Sequence, residues 1–220
     1  MMRAVLFDLG NTLVTTILCN EEIMQRILME KGIEKDLDEI YRARALAARE
    51  AMKRDLPMHE FYARWNSLIL SKMGIEDASM GRYICERWYE RAELRLYEDV
   101  IPTLKELRSR GLKLGTITNG FEEEVADVMS HLPIDTGFFD IIVGCDTTGA
   151  EKPDPQPFLH AASRLGMNPE DALFVGDSYE KDYLGALGTG MRALLILREG
   201  ELPAPEIAYI RRLEEVLEHL

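Results

Sequence analysis

The chain predicts an α/β fold: a Rossmann-like parallel sheet core with an all-helical block inserted near its start. Three observations predict it. From about residue 100 onward, compact apolar runs alternate with amphipathic stretches, the βαβ pattern of a parallel sheet covered on both faces. Between residues 14 and 97 that alternation gives way to helical periodicity with no convincing strand. Several apolar runs then end in polar residues of marked chemical character, as strands do at the carboxyl edge of such a sheet.

The elements follow in order. Residues 4–7 form the opening strand, which runs straight into Asp8 and a Gly10-Asn11-Thr12 turn. Helices are expected over 20–31, capped by Asn20 and stopped near Gly32, and over 36–54, halted before Pro57. Two more, 59–73 and 77–94, are divided by Gly74. The core is therefore expected to comprise 1–13 and 98–220, with 14–97 as the helical cap, sitting above the sheet edge that bears Asp8. Gly111 stops a helix before a strand at 112–118, and further strands are expected at 141–143, 173–175 and 193–197. Asn168 and Pro169 read as a helix start, and the tail from 205 to 220 as a last helix.

A chain of 220 residues suits one large domain or a core with an insert. Its net charge of -13 excludes a nucleic-acid role, which demands a basic face. An anionic substrate must therefore be met by local positive groups or a cation. Cys19, Cys85 and Cys145 are scattered and form no Cys-x-x-Cys, so they read as reduced core thiols of a cytoplasmic protein. Met1 and Met2 lead directly into a strand without a signal peptide, and no apolar run nears the roughly 18 residues of a membrane span.

Asp8 is poorly explained by packing, because a carboxylate is seldom buried without a partner; the bland alternative is an Asx-turn closing the strand. Thr118, at the end of the second core strand, can donate from its hydroxyl to an anionic oxygen, although Thr118-Asn119-Gly120 is also an ordinary turn. Lys152 lies in a proline-stiffened turn, where it is either held in place or a solvated surface lysine. Asp177 and Asp182 follow the 173–175 strand behind Gly176; they suit a hard cation such as Mg²⁺, or Asp177 merely caps a helix.

Taken together, the four segments resemble the motifs of the haloacid dehalogenase superfamily of hydrolases, over essentially the whole chain. The first motif resembles Phe7-Asp8-Leu9-Gly10-Asn11-Thr12-Leu13, the second Thr118-Asn119, the third Lys152-Pro153, and the fourth Gly176-Asp177-Ser178 with Asp182. The helical insert resembles that family's type 1 cap. The resemblance implies a Mg²⁺-dependent phosphatase acting on small phosphomonoesters. Asp8 is then the nucleophile that forms an aspartyl-phosphate, and Thr118, the Asn119 amide and Lys152 hold the phosphoryl group. Asp8, Asp177 and the Gly10 carbonyl are the implied metal ligands, with Asp182 supporting the metal waters or orienting Lys152.

Gly10 departs from the pattern. Most phosphatases of the superfamily carry there a second aspartate, which protonates the leaving oxygen and deprotonates water. Glycine keeps the carbonyl and loses the acid. Some relatives with Gly-Asn in this place resemble active phosphatases, and the implied partner remains a small phosphorylated metabolite. Three other readings are a regulatory phosphate-binding protein, a 2-haloacid dehalogenase, and a phosphonate hydrolase using a cap lysine such as Lys53. The paired Asp177 and Asp182 argue against the dehalogenase. Arg42, Arg49 and Lys53, at i, i+7 and i+11, are expected near one helical face, as a second anion contact or as solvated charges. Tyr62, Trp65 and Trp88 are expected in the cap core. Oligomeric state is not legible.

Overall fold

The computed structural model describes residues 2–50 and 54–220. Along the chain, β1 (Ala4–Phe7) and β2 (Val14–Thr16) precede four helices: α1 (Asn20–Met29), α2 (Leu37–Ala47), α3 (Met58–Lys72) and α4 (Ala78–Arg91). Next come β3 (Leu94–Leu96), α5 (Val100–Ser109), β4 (Lys113–Ile117), α6 (Glu122–Ser130), β5 (Ile141–Val143), α7 (Cys145–Thr148) and α8 (Pro155–Arg164). The chain closes with β6 (Ala172–Gly176), α9 (Gly185–Gly188), β7 (Arg192–Ile196) and β8 (Tyr209–Ile210). It divides into two compact units, one of residues 1–15 and 95–220, the other of residues 16–94. β2 and β3 pair as a separate two-stranded sheet where the chain passes between the units.

The first unit is the α/β core. Its sheet has the order β5-β4-β1-β6-β7-β8, every neighbouring pair parallel. β1 is buried along its whole length, which its Ala-Val-Leu-Phe composition allows. Both β4 and β6 pair with it, so the strand order reverses direction there and opens a crevice at the carboxyl ends. Phe7 is level with Thr116 on one side and Val175 on the other. Asp8, the residues after β4 and those after β6 thus share one edge. Beneath them, Leu6, Ile117, Val143, Phe158 and Phe174 form a continuous core, with Phe158 and Phe174 packed edge to face.

Among the described residues, the regular structure of the second unit is helical apart from its share of β2 and β3. Ile23, Ile27, Ile40, Ile69, Leu70 and Ile84 fill its core, and Trp65 and Trp88 pack against it as expected. α3 and α4 approach so closely that a Cβ on Gly81 would collide with the Ser67 hydroxyl and the Ala63 carbonyl.

Several expectations are corrected. α1 is capped by Cys19 rather than Asn20, with the Glu22 carboxylate accepting from the Cys19 amide at 2.8 Å. α2 starts as expected behind Asp36, whose carboxylate accepts from Glu39 N at 2.6 Å, but ends at Ala47. Arg49 lies beyond it, so no helical face joins it to Arg42; Lys53 lies outside the described residues. Arg42 itself is exposed, and its Nε donates to the Asp38 carbonyl at 3.1 Å. β2 and β3 are strands where none was expected. The tail is not one helix: β8 extends the sheet beside β7, and a 3₁₀ turn over Leu213–Glu218 buries Leu213 and Val216 at i and i+3. Asn168 and Pro169 begin only a short 3₁₀ turn, Pro169–Asp171. Cys145 is buried, whereas Cys19 is exposed. Among the described residues no helix is long and apolar enough to cross a membrane.

Candidate active site

The carboxyl edge gathers the strand-end residues around one buried ammonium. Lys152 Nζ lies 2.6 Å from Asp8 Oδ1 and 2.7 Å from Asp182 Oδ1. The Lys152 and Asp182 side chains are each 2% exposed and that of Asp8 14%. The solvated-surface reading of Lys152 is thereby excluded. Burial tends to strip a lysine of its proton, but the two carboxylates outweigh it and raise the Lys152 pKa.

Lys152 is held by its backbone as well as by its charge. The Asn119 side chain brackets it: Nδ2 donates to the Lys152 carbonyl at 2.9 Å, and Oδ1 accepts from the Lys152 amide at 2.7 Å. The Lys152–Pro153 peptide is cis. Asp154 then caps α8, accepting from Gln156 N at 2.8 Å, with Pro155 at its first position. Sequence reasoning assigned Asn119 only through its amide. Its side-chain role spans 33 residues, a separation at which no local pattern reports contact.

Asp182 sits in a single π-helical turn, Tyr179–Leu184, an irregularity frequent at functional sites. Its Oδ2 accepts from the Ser178 amide at 2.9 Å while Oδ1 takes Lys152. Gly176 makes room for it, since a Cβ there would lie 2.5 Å from Asp182 Cγ and Oδ2. Asp177 does not cap this turn; the Ser178 hydroxyl does, accepting from Lys181 N. Instead Asp177 Oδ2 accepts from Asn11 Nδ2 at 3.3 Å. Asn11 holds a left-handed backbone, φ 52°, in the turn after Asp8. That turn is closed by Asn11 N to Val14 O at 2.7 Å and Leu13 N to Leu9 O at 2.9 Å.

Oxygens of Asp8, Asp177 and Asp182 lie within 4.8 Å of one another. Three carboxylates stand against one ammonium, and the imbalance shows in their proton affinities. Burial raises Asp8 to about 6, with Lys152 opposing the rise and Asp182 adding to it. Burial, then Asp182, raises Asp177 as well. An all-oxygen set with excess negative charge fits a hard divalent cation. Both Asp182 oxygens are engaged by Lys152 and the Ser178 amide, so Asp8 and Asp177 are the side chains with capacity to hold such an ion. Thr118 is half-buried at the end of β4; its Oγ1 accepts from Gly120 N at 3.0 Å, leaving the hydroxyl proton to donate.

Fold and site together define an α/β enzyme with an acidic, lysine-anchored centre at a topological switch point. Residues 2–190 match the family model described as haloacid dehalogenase-like hydrolase; the chain belongs to this family and is a hydrolase. It is 34% identical to the glyceraldehyde 3-phosphate phosphatase of Methanopyrus kandleri, over 100% of this chain and 99% of that one. It is 30% identical to the phosphoglycolate phosphatase of Aquifex aeolicus, over 80% of this chain and 76% of that one. Among solved structures, an HAD phosphatase from Thermococcus onnurineus superposes with a TM-score of 0.70 at 30% identity, covering 99% of this chain and 97% of its own. A 2-haloacid dehalogenase from Pseudomonas syringae, at 23% identity and a TM-score of 0.73 (99% and 97% covered), shares the fold.

Proposed function

We propose that this hydrolase is a Mg²⁺-dependent phosphatase of small phosphomonoesters, with Asp8 as the nucleophile. The observation that carries the reading is the Asp8–Lys152–Asp182 triad beside Asp177, whose uncompensated negative charge suits a divalent cation. The whole-length similarity to a phosphatase of glyceraldehyde 3-phosphate supports a short phosphorylated metabolite as substrate.

Asp8 Oδ2 attacks phosphorus, the bond from phosphorus to the ester oxygen breaks, and the alcohol departs with a proton taken from water. Water then attacks the aspartyl-phosphate, releasing inorganic phosphate and restoring Asp8. Lys152 and the Thr118 hydroxyl hold phosphoryl oxygens, and Asp182 and Asn119 keep Lys152 in place. Asp8, Asp177 and the Gly10 carbonyl would hold Mg²⁺, which when bound would supply the charge neutralisation a carboxylate needs to approach a phosphate.

A rapid-quench experiment with an aryl phosphate tests this. A burst of acid-stable protein phosphorylation that Asp8→Asn abolishes is expected, and Asp177→Asn should lower Mg²⁺-dependent turnover by two or more orders of magnitude in a folded protein. Full activity in excess chelator would remove the metal from the reading.

A further inference from the structure

Arg198 lies outside every segment used above, two residues beyond β7, yet its side chain is only 10% exposed. A buried guanidinium is costly unless its donors find acceptors. This one divides its fork. Nη1 donates to Asp99 Oδ2 at 2.5 Å, and Nη2 to the Thr12 carbonyl at 2.8 Å. Its guanidinium carbon lies over the Tyr97 ring, 3.9 Å from the centroid. Tyr97 N in turn donates to the Leu13 carbonyl at 3.2 Å. Asp99, instead of capping α5, spends Oδ2 a second time on Leu213 N at 2.7 Å. One side chain therefore ties the turn after Asp8 to the stretch of chain that re-enters the core.

We infer that Arg198 is a positioning residue for the nucleophile turn. It fixes the Thr12 carbonyl and, through it, the placing of Asp8 and the Gly10 carbonyl; the inference rests on the roles proposed above for those two. The turn is stiffened by its own hydrogen bonds, so a shift at Thr12 is transmitted to Gly10, two residues away. Arginine is required because a lysine ammonium, a point donor, cannot serve two divergent acceptors and also stack. The competing account is a purely structural ion pair. Against it, Arg198 Nε and Asp99 Oδ1 are buried without hydrogen-bond partners, a poor arrangement for a bridge selected for stability alone.

Arg198→Lys in the full chain tests the inference, compared with wild type well below both melting temperatures. Three quantities are read: amide hydrogen exchange across residues 9–14, the Mn²⁺ dissociation constant of metal-free protein by electron paramagnetic resonance, and kcat and KM for an aryl phosphate. Positioning predicts faster exchange in that segment, with weaker Mn²⁺ binding and lower kcat, each by about tenfold or more, and little change in KM. Unchanged exchange and Mn²⁺ affinity in a variant that merely melts earlier overturns it. If the lysine variant does not fold, Tyr97→Leu decides: it keeps both hydrogen bonds but removes the stacked face. All three quantities should then move in the same direction, and no change in any overturns the inference. If wild type neither binds Mn²⁺ nor cleaves phosphate esters, the functional reading fails, and the exchange difference alone decides the positioning.

Discussion

At Gly10 the backbone carbonyl remains available, but the side-chain acid of most phosphatases that the chain resembles is missing. Under the proposed phosphatase reading, protonation of the leaving oxygen would fall to water, and the rate should depend steeply on leaving-group pKa, with aryl phosphates turned over faster than alkyl phosphates. Nothing lies within 4 Å of a Cβ built on Gly10, and its φ is not in the left-handed region, so the backbone accepts a side chain there. Gly10→Asp is expected to flatten the leaving-group dependence and raise alkyl phosphate turnover by about 10²-fold, the low end for general acid–base help. Equal wild-type rates on both ester classes, unchanged in Gly10→Asp, would place the acid elsewhere. Asp8 offers a second test at this scale. Burial lifts its pKa in the folded protein to about 6, above the ordinary carboxylate value of 3.8, so the folded state favours the protonated form. Ionising it costs stability: the metal-free protein loses of order 3 kcal/mol as pH rises from about 4 through 6, and the loss levels off above. Asn cannot ionise, so the stability difference between Asp8→Asn and wild type should grow in favour of the variant across that window. Denaturant titrations at several pH values read it, and a difference independent of pH would mean that Asp8 is not strained as a carboxylate.

The π-helical turn carrying Asp182 works only because β6 ends in glycine. A Cβ at Gly176 would sit 2.5 Å from Asp182 Cγ, forcing Asp182 away from Lys152 and the Ser178 amide. Gly176→Ala is therefore expected to cost about 1–3 kcal/mol, as overpacking does, seen as about 2–4 °C of melting temperature per kcal/mol. Activity should fall further than stability, because Lys152 loses one of its two anchors. Gly188→Ala, in α9 with open space around it, is the control and should match wild type in both. A Gly176→Ala protein with normal turnover would show that Asp182 does not set the position of Lys152. The strands that build this edge were legible because each is a compact apolar run broken by polar residues; β1 and β5 fall at the expected residues, and β4, β6 and β7 within a residue or so at each end. β2, β3 and β8, of two or three residues each, are too short for any periodicity and exist through pairing. The early end of α2 was hidden because it stops on Ala48 in an ordinary right-handed conformation, without glycine or proline. Asp8, Lys152, Asp177 and Asp182 stood out because ionisable groups at strand ends need a reason. The grip of the Asn119 side chain on Lys152 and the whole role of Arg198 did not, because those partners lie 33 and 186 residues away.

At the scale of the whole molecule, electrostatics works against the proposed substrate. The chain carries a net charge of -13, and the one ammonium at the centre is already matched by Asp8 and Asp182. Asp177 adds a further negative charge beside them. A phosphate dianion approaching from solvent therefore meets repulsion at long range, and attraction only within reach of a bound divalent cation. The Debye length shortens from about 30 Å at 0.01 M to about 8 Å at 0.15 M ionic strength. Screening thus removes the long-range repulsion while leaving the close contacts nearly intact. With the divalent cation held saturating, kcat/KM is expected to rise severalfold across that range, the reverse of the fall seen where a positive cleft steers an anion inward. The slope should steepen with substrate charge, so an ester bearing an additional carboxylate should respond more than an aryl phosphate. Stopped-time assays over an ionic-strength series, with the metal concentration checked for saturation at each point, give the slopes directly. A fall in kcat/KM with salt would mean that positive side chains near the entrance dominate the approach. The exposed Arg42 and Arg49 would then be neutralised in turn, and the slopes in Arg42→Gln and Arg49→Gln would show whether either steers the substrate.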